Sequence, residues 1–80
     1  MEGQVSHSKT RLHNRVIGHG WSRPEYQYEG PTVREGGTNQ WLCIVRMNAS
    51  EWGRAYGPSR HAASEAAAAI AYSVLIQQGY

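Results

Sequence analysis

Arg60 and His61 are the residues in this chain best placed to do chemistry. They follow Gly53-Arg54-Ala55-Tyr56-Gly57-Pro58-Ser59, a run of small residues ending in a serine suited to cap a helix. An alanine-rich segment follows, so the two basic residues fall in the first turn of a helix. The N–H groups of a first turn lack intrahelical partners, and the helix dipole adds partial positive charge there. A basic helix start of this kind is suited to a phosphate group. The chemistry implied is non-covalent: holding the backbone of a nucleic acid.

Other reactive residue types form no comparable set. His7, His13 and His19 are spaced by six, which turns by about 240° on a helix, so their rings diverge and do not suggest a metal site. Cys43 is the single cysteine and lies in an apolar run, where it reads as a small buried hydrophobe. One cysteine cannot form an internal disulfide, which favours an intracellular protein without choosing between nucleus and cytoplasm. The sequence shows no activated serine, no carboxylate pair and no phosphate-binding glycine loop with its lysine. The expectation is a non-catalytic protein without cofactor or metal. Asn48-Ala49-Ser50 fits a glycosylation sequon but reads as a turn between strands.

The elements that must position Arg60 and His61 follow from spacing and punctuation. Residues 1–7 are polar and expected to be a flexible N-terminus, leaving one domain over residues 8–78. Ser8 is expected to cap a helix over Lys9 to Ile17, with Leu12, Val16 and Ile17 on one face. Gly18 and Gly20 end it, and Trp21 folds back over its end. Arg23-Pro24 forces extended backbone into a first strand at Tyr26-Gln27-Tyr28. Gly36-Gly37, rather than Gly30-Pro31, is the expected link to the second strand. That strand, Trp41 to Met47, alternates: Trp41, Cys43, Val45 and Met47 on the inner face, Leu42, Ile44 and Arg46 on the outer. Glu51 to Tyr56 returns as a third strand.

The last helix begins at Pro58-Ser59 and reaches about Gln78. Its expected apolar arc is Ala63, Ala67, Ile70, Ala71, Val74 and Leu75, with Glu65, Ala69, Tyr72 and Ser73 opposite. The fold class is therefore α+β: helix, three antiparallel strands, helix, with both helices on one face of the sheet.

Bulk properties agree with a small basic binding domain. Eighty residues supply one modest core, and the net charge of +2 permits a polyanionic partner without requiring one. Three Trp and five Tyr, with no Phe, must supply the bulky part of that core. No segment approaches the ~20 apolar residues of a membrane span, and the opening residues lack a signal peptide's pattern.

The order and spacing of these pieces resemble the double-stranded RNA-binding domain family. Gly20-Trp21-Ser22-Arg23-Pro24-Glu25-Tyr26 looks like the family's G-W-x-x-P-x-Y passage, and Gly53-x-Ala55-x-Gly57-x-Ser59 like its G-x-G-x-G-x-S strand end. Arg60-His61-Ala62-Ala63-Ser64 falls on its K-K-x-A-K signature, and Ala67-Ala68-x-x-Ala71 on the alanines behind it. The resemblance runs from about Lys9 to Leu75.

It implies recognition of duplex RNA by shape, across two minor grooves and the phosphates between them. By that resemblance, His13 and Asn14 of the first helix meet one minor groove. Thr38 and Asn39, in the loop between the first two strands, meet the other. Arg60, His61 and Ser64 meet the phosphates. Where the family carries three basic residues, only Arg60 keeps a permanent charge, and the loop lacks the family's usual histidine. Both departures imply weak binding. The alternative is a protein-interaction or dimerisation module on the same fold, using an outer-face patch of Leu42, Ile44 and Trp52.

Overall fold

The computed structural model describes residues 7–33, 37 and 39–80. The sequence expectations for residues 1–6, for Gly36 and for Thr38 lie outside the described residues. The elements run α1 (Ser8–Gly18), β1 (Glu25–Val33), β2 (Asn39–Met47), β3 (Ser50–Gly57) and α2 (Arg60–Gln77). The strands form one antiparallel sheet in the order β1-β2-β3. This is the expected fold class. Among the described residues, no helix is long and apolar enough to cross a membrane.

One hydrophobic core lies on one side of the sheet. Cys43, Val45 and Met47 of β2 meet Ala63, Ala67, Ala68, Ala71 and Leu75 of α2, and Leu12 and Val16 of α1 complete the cluster. Burial raises the pKa of the Cys43 thiol, as expected of a packing residue. The alanines let α2 approach the sheet closely. A Cβ placed on Gly53 would stand 2.8 Å from the Ala67 carbonyl oxygen, and one on Gly57 would stand 2.6 Å from the Ala63 nitrogen. The glycines of β3 and the alanines of α2 are thus two halves of one contact.

Both helices end in the same way. Gly20 (φ +80°) and Gly79 (φ +95°) adopt left-handed backbone just past α1 and α2. The Gly20 and Trp21 N–H groups donate to the Ile17 and Val16 carbonyls, and those of Gly79 and Tyr80 to Ile76 and Leu75. This is the paired hydrogen-bond pattern of a Schellman motif, which satisfies carbonyls left over at a helix end.

Three local expectations are corrected. Ser8 does not cap α1 as an N-cap residue; it is the first helical residue and is buried, and the cap position is His7. Glu65 of α2, expected on an exposed face, is only 5 % exposed. Its carboxylate accepts the backbone N–H groups of Ser8 (2.9 Å) and Lys9 (3.3 Å) and so caps α1 from the neighbouring helix. Ile17 and Ile70, expected to face the core, are each 45 % exposed. The choice against Gly30-Pro31 as the strand link agrees with the structure: β1 continues past it, with a register shift between Glu29 and Thr32, and the link to β2 lies between Val33 and Asn39.

Candidate nucleic-acid interface

The start of α2 forms as its residues dictate. Ser59 has extended backbone, and its hydroxyl accepts the Ala62 N–H at 3.1 Å. Arg60 and His61 are exposed in the first turn, where backbone N–H groups have no intrahelical carbonyl to bond.

Arg60 does not extend freely into solvent. Its guanidinium lies over the Trp41 ring, 5.0 Å from the centroid, and 6.0 Å from that of Tyr28. The pleat explains the pairing. Tyr28 pairs with Cys43 across β1 and β2, so Tyr28 and Trp41 share the helix-side face of the sheet. α2 covers β2 and β3, and its first residue reaches back to the β1 side. A planar cation on aromatic faces keeps its N–H groups directed outward with little loss of hydration.

A second cation follows the same pattern. The Lys9 ammonium stands 5.8 Å from the Tyr26 ring, and Tyr26 shares a strand face with Tyr28. Burial, reinforced by the nearby Cys43, Glu65 and Tyr28, pushes the Tyr26 phenol up to about 12, so it stays protonated at neutral pH. Lys9 and His13 are one helical turn apart on α1. The sequence-predicted α1 contacts therefore join Arg60 through a continuous row: His13, Lys9, Tyr26, Tyr28, Arg60. Asn14 is exposed on α1 beside His13. Asn39 is exposed at the start of β2, two residues before Trp41, at the far end of the β1–β2 hairpin from Glu25.

Ser64 is not part of this surface. It is fully buried, and its hydroxyl donates to the His61 carbonyl at 2.9 Å. It serves the helix's own backbone, so its expected hydrogen bond to phosphate is not available in this arrangement.

The expected outer-face patch also comes apart. Leu42 and Ile44 do share the outer face, yet each is only 8 % exposed. Their cross-strand neighbours there are Glu29 and Tyr56 for Leu42, and Gln27 and Arg54 for Ile44. These longer side chains close over them. Trp52 lies on the other side of the sheet. The β2–β3 register shifts between Val45 and Arg46, leaving Trp52 as the extra residue of a bulge. Strict alternation from Gly53 would have put Trp52 outside with Arg54. Instead it packs against the core and the Trp21 and Tyr80 rings, and its indole N–H donates to the Met47 carbonyl at 2.9 Å.

Sequence reasoning missed the aromatic shelf beneath Arg60. Tyr28 and Trp41 were legible as strand residues, but their proximity to Arg60 depends on where α2 crosses the sheet. The spacing of Tyr26, Tyr28 and Trp41 on one pleated face was the available signal.

No curated protein matches the chain. A family model, described as a double-stranded RNA binding motif, matches residues 8–75. The match takes in all five elements, including the basic start of α2 and its aromatic support. On this match and this arrangement of helices and strands, the chain belongs to the double-stranded RNA-binding motif family.

Proposed function

We propose that the chain is a non-catalytic module that binds duplex RNA weakly, by shape and without sequence preference. The observation that carries this reading is the seating of Arg60. An exposed cation at a capped helix start, supported by two rings, is suited to a phosphate that arrives from solvent. His61 adds a second polar side chain at the same turn. His13 and Asn14 would meet one minor groove, and the β1–β2 connection, with Asn39 at its end, the next.

The departures from the family's basic signature support the weak end of the range. Every cation missing from the phosphate-facing surface lowers affinity and flattens its salt dependence. The burial of Ser64 removes a further polar group from the surface.

The test is fluorescence anisotropy of an RNA duplex of roughly 20 base pairs, long enough for the ~16 that such domains span. It is run at two salt concentrations beside a matched DNA duplex. Salt-sensitive binding that prefers RNA is the expected result. No binding at low salt and high protein concentration would move the function to protein interaction on the same fold.

A further inference from the structure

An open groove separates α1 from the passage into β1. Lys9 and His13 line one wall; Ser22, Arg23, Glu25 and Tyr26 line the other. Arg23 is exposed and makes no hydrogen bond or ion pair with any described residue. It precedes Pro24, which restrains Arg23 to extended backbone and so fixes where the side chain leaves the chain. Two permanent cations, an imidazole and a hydroxyl thus converge from two separate segments. Glu25 is the one opposing charge in the lining; Arg46 is its register partner across β1 and β2, with its guanidinium donating to the Ala49 carbonyl.

This donor set suits an oxyanion. An arginine fork binds phosphate oxygens in a bidentate manner, and a lysine adds a point charge. The groove borders the same α1 surface that carries His13 and Asn14. We infer that Arg23, with Lys9 across the groove, holds a backbone phosphate of the RNA strand bordering the minor groove that α1 enters. The inference rests on the duplex-RNA reading and adds a contact region beyond α1, the β1–β2 connection and the start of α2.

The experiment measures duplex-RNA affinity of the full chain between 50 and 200 mM salt, the range over which phosphate contacts show about a 0.9 change in log–log slope each. Arg23→Gln is expected to lower affinity several-fold and reduce the slope by about one contact's share. Arg23→Lys, which keeps the charge, is expected to keep the slope. An unchanged thermal midpoint establishes that the Gln variant is folded, as its exposed position implies. If the unaltered chain binds while Arg23→Gln matches it in affinity and slope, this inference is overturned and the duplex reading stands. If the unaltered chain fails to bind duplex RNA, both are overturned.

Discussion

Trp21 and Tyr80 meet edge to face with ring centroids 4.8 Å apart, although 59 positions separate them in sequence. They occupy the same place in two copies of one motif, each being the third residue past its helix. Trp52 lies within 6.3 Å of the Tyr80 ring, and the Arg15 guanidinium donates to the Tyr80 carbonyl at 2.8 Å. The ends of α1 and α2 are thereby tied to each other and to β3. Tyr80 is 40 % exposed, so only part of its ring contributes. Tyr80→Ala is expected to cost about 1–2 kcal/mol, because it removes the ring packing and the partial burial. Urea denaturation followed by Trp fluorescence measures it.

The two helix starts are joined as firmly. Glu65 of α2 serves as the cap that α1 lacks locally. Glu65→Ala would leave the Ser8 N–H, in a buried residue, without an acceptor. The expected loss is about 2 kcal/mol, at the upper end for a helix cap because the site is dry. Amide exchange should speed up first at Ser8 and Lys9. A loss spread evenly over the chain would instead indicate that Glu65 acts only through packing.

The misplacement of Glu65 shows where sequence reasoning runs short. A helical wheel assumes one buried face and one wet face. α2 has two neighbours, with the sheet on one side and α1 on another. Glu65 falls where the wheel puts solvent, but it meets the start of α1 instead and lies near Tyr26 of β1. Ile70 shows the converse, since it falls just outside the buried arc that runs from Ala63 to Glu65 around the helix, and stays 45 % exposed. The order of elements, the faces of β2 and the Ser59 cap were legible because each depends on local pattern. The Trp52 bulge, the burial of Ser64 and the shelf under Arg60 depend on register and helix placement, which local pattern does not carry.

The contact between Gly53 and α2 makes a sharper prediction. A methyl group at Gly53 would meet the Ala67 oxygen at 2.8 Å and the Ala71 nitrogen at 2.9 Å. Both are backbone atoms, so α2 itself must move. Gly53→Ala is expected to cost about 1–3 kcal/mol, the usual penalty for overpacking. Ala71→Gly offers a control, because it removes the methyl of Ala71 but not the backbone nitrogen that Gly53 meets. It should not rescue Gly53→Ala, and a rescue would point to side-chain rather than backbone crowding.

Alkaline pH should unfold the domain by a defined route. The Tyr26 phenol is raised to about 12 from an ordinary 10.0, chiefly by burial. An unfolded chain releases this proton near the ordinary value, while the folded chain retains it. The stability linked to Tyr26 is therefore intact below pH 10 and falls as pH rises toward 12. Tyr26 remains partly open to solvent, which limits the size of the effect. Tyr26→Phe removes the titrating group, so its denaturation midpoint should vary less between pH 9 and 11, about the range flanking the phenol's unfolded pKa. Equal pH dependence in the two proteins would assign the alkaline transition to other groups.

The proposed role of the aromatic shelf can be separated from simple charge. Arg60→Ala should lower duplex-RNA affinity and reduce the salt slope by about 0.9, one phosphate's share. Arg60→Lys should keep the slope but bind more weakly than the unaltered chain, because an ammonium lacks the planar fork that rests on Trp41 and Tyr28. Trp41 also packs against the core, so Tyr28, 38 % exposed, is the better probe of the shelf. A ring under an exposed cation is worth about 0.5–1 kcal/mol, so Tyr28→Ala should weaken binding by roughly two- to fivefold. If the ring acts by orienting Arg60, that effect disappears when Arg60 is already alanine, and a double-mutant cycle reads the coupling directly. Effects that simply add would mean that Tyr28 meets the RNA by itself, and Arg60 would then be held by its helix start alone.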